Sequence, residues 1–457
     1  MPSVMWFRRD LRLNDNPALN AAIENARANG DGAVAAMVMI DDHLWPTWGA
    51  PKQQYLADSL TALSASLENN LIVRHGNPLT EVLAVAQAVG ATQVHCAADF
   101  TTVGIERDAA VKSRLAEHGI ELVVTGSIYA ISPGRIFKGD GTPYKVYTPF
   151  YRAWLAHGWR RPAELPSDLT WCGAELSQGI PTVPEVAGMT VSAAGELAAL
   201  ERWELFRGTH LKDYNDVRDR ADLDGTSRLS THLKWGEVHP RTLLAEIGDS
   251  AGEDTFRKEL AWREFYADVL FHNPHSMFDY LNPQFKDMQY DTGELAESRL
   301  AAWKTGTTGF PFVDAGMRQL AQEGWMHNRV RMVTASFLIK DLHIEWQVGA
   351  AWFFELLKDA DYASNQHGWQ WTAGCGTDAA PYFRIFNPIT QGEKFDPLGD
   401  YVRKYIPELR HIPGKKVHQP WSVSDGYAHG YAAPIVDHSA EREESLRRYA
   451  AISKKNS

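Results

Sequence analysis

Glu259, Trp262, Arg263 and Tyr266 recur at i, i+3, i+4 and i+7, a spacing that sets a carboxylate, an indole, a guanidinium and a phenol on one helix face. Such a mixture can grip a planar polar ligand, although an exposed Glu-Arg pair beside two core aromatics gives the same pattern. In Trp325-Met-His-Asn-Arg-Val-Arg-Met, Trp325, Asn328, Arg329 and Met332 fall on one face at helical spacing and Arg331 on another. Two arginines at different azimuths can serve two partners. Asn365-Gln-His-Gly-Trp-Gln-Trp brings Trp369 and Trp371 close together. Indole faces stack bases, and beside Arg329 and Arg384 they suggest a pocket for an extruded nucleotide. Asp224-Gly-Thr-Ser-Arg-Leu-Ser-Thr carries a turn, hydroxyls on Thr226, Ser227 and Ser230, and the fork of Arg228 into an apolar helical segment. That arrangement can hold a pyrophosphate, or can simply cap a helix.

Other chemistries lack their signatures. The chain has no G-x-G-x-x-G, no G-x-x-x-x-G-K-[ST] and no H-E-x-x-H, so a standard dinucleotide loop, a P-loop and a zincin site are not expected. No metal site is expected. Cys96, Cys172 and Cys375 are too few and too scattered for a disulfide framework, which suits a reducing cytoplasm.

These groups need a scaffold. Residues 4–125 alternate short apolar runs with amphipathic stretches, predicting strands at Val4–Phe7, Ala33–Ile40, Leu71–Arg74, Gln93–Ala97 and Glu121–Val124. Helices are predicted over 17–28, 52–68, 78–89 and 104–118, with Pro17 and Pro78 at first-turn positions behind asparagines. Parallel strands with helical crossovers make a doubly wound α/β domain. Residues 126–191 hold seven prolines, from Pro133 to Pro184, and read as a partly helical connector. Beyond Ser192 the helical period returns over 193–207, 255–271, 312–323, 326–342 and 345–358, so an all-α domain is expected. The partition is 1–130, 131–191 and 192–457.

At 457 residues, 44% hydrophobic and 23% charged, the chain has the composition of a globular protein with two or three domains. Its longest apolar run, Ala33–Ile40, is far too short to span a bilayer. The N-terminal MPSVMWFRRDLR lacks a signal-peptide core. A net charge of −11 argues against coating nucleic acid by overall charge, so any nucleic-acid contact needs a local basic patch. Of 16 tryptophans, 13 lie beyond residue 150, which concentrates the aromatic chemistry in the helical part.

WFRRDLRLNDNPAL, KVYTPFYRAW, GTSRLS, ELAWREFY, TGFPFVDAGMRQL, GWMHNRVRM, NQHGWQW and GTDAAPYFRIFNP together resemble the photolyase/cryptochrome family, from residue 3 to about 421. More narrowly they resemble microbial class I cyclobutane pyrimidine dimer photolyases. The resemblance implies an α/β antenna domain, a connector, and a helical domain holding FAD. By motif, Tyr214, Thr226, Ser227, Arg228, Leu229 and Ser230 are expected on the flavin phosphates and ribose. Arg263, Asn328, Arg331, Asp359, Asp361 and Asn365 are expected around its rings, with Arg331 paired to Asp359. Trp262, Trp371, Glu259, Met332 and Asn328 would form the lesion pocket, and Arg218, Arg329 and Arg384 would hold DNA phosphates. The implied reaction is light-driven: excited, reduced FAD lends an electron to a flipped-out dimer, whose ring splits before the electron returns. Glu259 and Asn365 would act in catalysis. Trp369 and Trp346 match the first two members of an electron-transfer chain, whose third place falls to Tyr290, with Trp303 nearby.

A second, antenna chromophore is expected. Folate-binding relatives carry Asn-Glu where this chain has Val103-Gly104, closer to deazaflavin-binding relatives, and the choice between folate and deazaflavin stays open. UV-damaged DNA is the expected partner, with no membrane contact and a monomeric, cytoplasmic protein. The rivals are a cryptochrome-type light sensor without repair, a thermal flavin oxidoreductase and a non-catalytic nucleotide-binding module. Asn365, Trp371 and Met332 favour repair.

Overall fold

The structure is a computed structural model that describes residues 1–378 and 383–454. The chain divides into two compact units. The first comprises Met1–Ala187, Val191–Lys212 and Ser227–Pro274, and the second Gly188–Thr190, Asp213–Thr226 and His275–Ser457.

Five parallel strands build the first unit: β1 (Ser3–Phe7), β2 (Ala33–Asp41), β3 (Ile72–Gly76), β4 (Gln93–Ala98) and β5 (Glu121–Ser127), in the order β3-β2-β1-β4-β5. Crossovers α1 (Pro17–Asn29), α2 (Ala50–Ser66), α3 (Pro78–Ala88) and α4 (Thr102–Ala116) cover both faces, so the order reverses between β1 and β4. Alternation assigns the two faces. Met5 and Phe7 enter the core with α1 and α2, whereas Val4 and Trp6 enter the one with α3 and α4. The capping signals at Pro17 and Pro78 act as read: Asn16 and Asn77 side chains accept from Leu19 N and Leu79 N.

Element ends differ by a few residues. Helix α2 stops at Ser66 rather than 68 because Glu68 and Asn69 turn left-handed, at φ 54° and 65°. Helix α4 begins at Thr102 because the Thr101 hydroxyl accepts from Gly104 N. The connector contains an 11-residue helix, α5 (Tyr147–His157), and a two-residue strand, β6 (Thr170–Trp171), paired with the start of β2. The first unit is completed by α6 (Glu196–Thr209), α8 (Ser230–Trp235), α9 (Pro240–Leu244) and α10 (Ala251–His272), numbered in chain order around α7 below.

All longer elements of the second unit among the described residues are helical: α7 (Tyr214–Val217), α11 (Glu294–Thr305), α12 (Pro311–Glu323), α13 (Asn328–Lys340), α14 (Trp346–Leu356), α15 (Tyr362–Ala373), α16 (Pro388–Phe395), α17 (Asp400–Tyr405) and α18 (His438–Lys454). Helix α13 is shorter than the predicted 326–342. His327, whose side chain accepts from Arg329 N, caps it, so Trp325 lies outside the helix and does not share a face with Asn328, Arg329 and Met332. Helix α14 likewise ends at Leu356, because Leu357 is extended, with ψ 124°. No helix among the described residues is long and apolar enough to cross a membrane.

Candidate functional site

Helix α10 starts from a capping box, in which Ser250 and Glu253 each bond the other's backbone N–H. It then runs 22 residues, long enough to carry Glu259, Trp262, Arg263 and Tyr266 on consecutive turns. Trp262 lies flat on Tyr147 of α5, with centroids 3.8 Å apart and planes 8° from parallel. The Tyr147 hydroxyl donates to Lys258 O at 2.7 Å, so one indole face is fixed and covered. Glu259 is half-buried. Arg263 is less available than expected for a ligand contact: Nη1 and Nη2 donate to Ile128 O and Leu233 O at 3.0 and 3.1 Å, and the guanidinium sits 4.7 Å over Tyr129. Five N–H donors leave it some capacity.

The hydroxyl-rich loop also belongs to the first unit from Ser227 onward. Arg228 is left-handed at φ 54°, a conformation that non-glycine residues hold only under constraint. Arg202 Nε holds Ser227 O at 2.9 Å, and Leu229 N donates to the Ser227 hydroxyl at 3.3 Å. The helix that follows, α8, has only six residues, which limits its dipole. Thr226, Tyr214 and Arg218 fall in the second unit. Tyr214 is buried, and the Arg218 guanidinium lies 5.8 Å over its ring.

In the second unit, Arg331 and Asp359 form a bidentate pair with N···O distances of 3.1 and 2.7 Å. Asp359 is buried, and Arg331 Nε also donates to Met326 O. The compensation keeps a charge pair stable where an isolated carboxylate would be costly. Asp361 caps α15, accepting from Ser364 N at 2.9 Å. Asn365, one turn on, donates through Nδ2 to Ala350 O and Gln366 Oε1. Asn328 is exposed at the start of α13 and reaches the Met332 sulfur at 4.0 Å. Arg329, expected on a phosphate, is held by Asp219 at 2.9 Å and lies over Phe395. Trp371 and Arg384 come together, lining one small cavity with Lys340. Complete burial pushes the Lys340 ammonium down to about 7. Lysine at this position carried no sequence signal.

Trp369, Trp346 and Trp303 are buried, at 3%, 0% and 0% exposure. Phe353 lies 4.9 Å from Trp369 and 5.9 Å from Trp303, whose own ring is 6.2 Å from Trp369 and nearly perpendicular to it. Tyr280 meets Trp346 edge-on at 6.0 Å, and its hydroxyl donates to Glu345 at 2.7 Å. The Tyr290 and Tyr280 phenols are close enough to interact, so the two candidates for the third electron-transfer place have different neighbours: Trp303 beside Trp369, and Tyr290 one residue removed from Trp346. Burial holds both phenols protonated, well above the ordinary range, and at Tyr280 the neighbouring Tyr290 and Glu345 push the same way.

Known proteins match both segments. Residues 3–167 match the DNA photolyase family, and residues 256–451 match the FAD binding domain of DNA photolyase. A deoxyribodipyrimidine photo-lyase from Alkalihalophilus pseudofirmus is 38% identical over 472 residues, covering 97% of this chain and 96% of that protein. A bacterial class III photolyase from Agrobacterium tumefaciens superposes with a TM-score of 0.88 at 38% identity, covering 99% and 98% of the two chains. A cryptochrome from Synechocystis sp. PCC6803 superposes at 0.85 with 28% identity, over 98% of each chain. Similarity at this level over nearly the whole length, with both family segments in place on an α/β sheet and a helical domain, places the chain in the photolyase/cryptochrome family.

Proposed function

We propose that the protein is a light-driven DNA repair lyase that splits cyclobutane pyrimidine dimers into two pyrimidines, with microbial class I as its subclass and class III, that of the Agrobacterium relative, as the rival subclass. The single observation that carries the reading is the full-length identity to photo-lyases of 38%, against 28% to the cryptochrome.

FAD fits the residues present. The Arg331–Asp359 pair supplies fixed, compensated charge. Asn365 keeps its Oδ1 clear of hydrogen bonds from described residues. The constrained Arg228 stands among hydroxyls. Tyr214 and Thr226 to Ser230 would hold the phosphates and ribose. Arg263, Asn328, Arg331, Asp359, Asp361 and Asn365 would hold the rings. Bound and reduced, FAD supplies a light-absorbing one-electron donor. The chain's own side chains do the rest. Trp262, backed by Tyr147, offers one stacking wall and Trp371 another. Glu259 bonds the pyrimidine edge, and Asn328 and Met332 guard the lip. Arg218, Arg329 and Arg384 take DNA phosphates, Arg329 after exchanging Asp219 for a phosphate. Dry walls protect radicals from water, and a damaged pair costs less to extrude than an intact one. Trp369 and Trp346 relay electrons toward the cofactor.

Residues 1–130 then serve as the antenna domain, 131–191 as connector and 192–457 as the catalytic domain, in a monomeric cytoplasmic enzyme with a folate or deazaflavin antenna. The test is illumination of reduced protein with dimer-containing oligothymidine. Restoration in blue or near-ultraviolet light and none in darkness is expected. Repair that ran equally in the dark would remove the photolyase reading, and bound flavin without repair would favour a light sensor.

A further inference from the structure

The first unit contains a cleft of about 640 Å³ that none of the residues assigned above lines, within the roughly 300–1,000 Å³ in which proteins seat small molecules. Its floor is the carboxyl end of the sheet, where β4 finishes at Ala98 and β5 at Ser127. Open α/β sheets place ligands at that end. The opposite wall is the chain leaving α5, from His157 to Arg160.

Charge is the first clue. Arg135, Arg160 and Arg241 line the cleft, and no aspartate or glutamate does, a local reversal of sign in a chain of net charge −11. Arg241 is neutralised, since Nη2 donates to Asp15 Oδ1 at 2.5 Å and Nε to Oδ2 at 3.3 Å. Arg135 and Arg160 are exposed and bond no described residue, so two guanidinium forks stand uncommitted at one rim. Such forks match the oxygens of phosphate.

Preorganised rings are the second clue. Trp159 sits 4.6 Å from Trp154, whose Nε1 donates to Glu264 Oε2 at 2.6 Å. The same buried carboxylate accepts from Ala130 N and Ile131 N, so one group fixes both the indole stack and the facing loop. Tyr129 is pinned beneath Arg263, with Phe100 edge-on at 6.2 Å. Walls held this way lose little freedom on binding.

We propose that this cleft binds a nucleoside phosphate, the base against Trp159 and the phosphates between Arg135 and Arg160. Bare phosphate would leave most of the volume and the indole unused. A neutral nucleoside would leave the guanidinium pair unused.

Calorimetry on FAD-loaded protein tests this, with the flavin site filled so that it cannot take the probe. ADP is expected to bind one per chain. Arg135→Glu with Arg160→Glu should weaken it by about tenfold or more, and Arg135→Lys with Arg160→Lys should restore much of the loss. Trp159→Ala should weaken ADP while leaving pyrophosphate unchanged. Variants are compared only when they keep bound flavin and wild-type circular dichroism, so lost binding is not unfolding. No ADP binding, or affinity indifferent to the charge reversal, overturns the proposal. Displacement of ADP by undamaged duplex DNA also overturns it, because the cleft would then be part of a DNA surface.

Discussion

Trp262 in the first unit and the trio Trp303, Trp346 and Trp369 in the second are the same residue type in opposite settings. Trp262 is half-buried, one face covered by Tyr147 and held parallel to it at 3.8 Å. The trio is sealed, with exposures of 3% or less, and packs against Phe353, Tyr280, Thr334 O and Gly349. An indole with an available face can stack a base. A sealed indole can hold a radical away from water and oxygen. On the proposed assignments, exposure, more than identity or position in a motif, separates binding tryptophans from conducting ones. Trp371, half-buried and two residues from Trp369, shows that a single helix can present both kinds.

The comparison breaks first if the sealed region does not depend on its buried ion pair. Arg331→Ala leaves Asp359 buried without its partner, and about 3 kcal/mol of stability should be lost, the lower end for breaking a buried pair because Arg331 is partly exposed. Flavin retention should fall with it. Urea denaturation together with the flavin absorbance of the purified variant checks both, and an unchanged midpoint would mean that the pair contributes nothing.

The next largest effect concerns how Trp369 is seated. Gly349 of α14 faces it so closely that an added Cβ would stand 2.2 Å from Trp369 Cη2 and 2.5 Å from Leu338 Cδ2. Gly349→Ala must push the indole aside, at a cost of about 1–3 kcal/mol for overpacking. Photoreduction of oxidised flavin should slow while chemically reduced enzyme still repairs. Equal loss of both would place Trp369 in repair itself and collapse the distinction between conducting and binding indoles.

Much of this arrangement is legible in sequence, for identifiable reasons. Strands buried on both faces leave continuous apolar runs, and Asn-Pro caps mark their helices, so β1 to β5 and α1 to α4 are found within a few residues. The helix face of Glu259, Trp262 and Arg263 is read from spacing alone. Contacts across long stretches are not legible. Tyr147 lies 115 residues before Trp262, and nothing local couples them. Asp219 as the partner of Arg329 is hidden for the same reason. The two-residue β6 has too little length for periodicity, and the left-handed Arg228 breaks a conformational rule that sequence reading takes as default. Lys340 sits in an apolar helical run where a lysine reads as surface, although its ammonium is wholly buried.

The smallest effect sharpens the comparison most. Trp371→Ala removes a stacking face outright and should weaken damaged-DNA binding by about 1–3 kcal/mol. Tyr147→Ala removes only the ring behind Trp262, leaving the ligand-facing side intact, so its cost should be about 1 kcal/mol, the worth of one aromatic pair. If Trp262 is a binding indole, the loss should appear in affinity for dimer-containing oligonucleotide, because a ring free to rotate binds with a larger entropy cost. Flavin photoreduction, assigned in the proposed reading to the sealed indoles, should not change. Fluorescence anisotropy of a labelled lesion and the photoreduction rate, measured on the same sample, give both numbers. A Tyr147→Ala protein that binds normally but photoreduces slowly would reverse the assignment, making the exposed indole part of the conducting set.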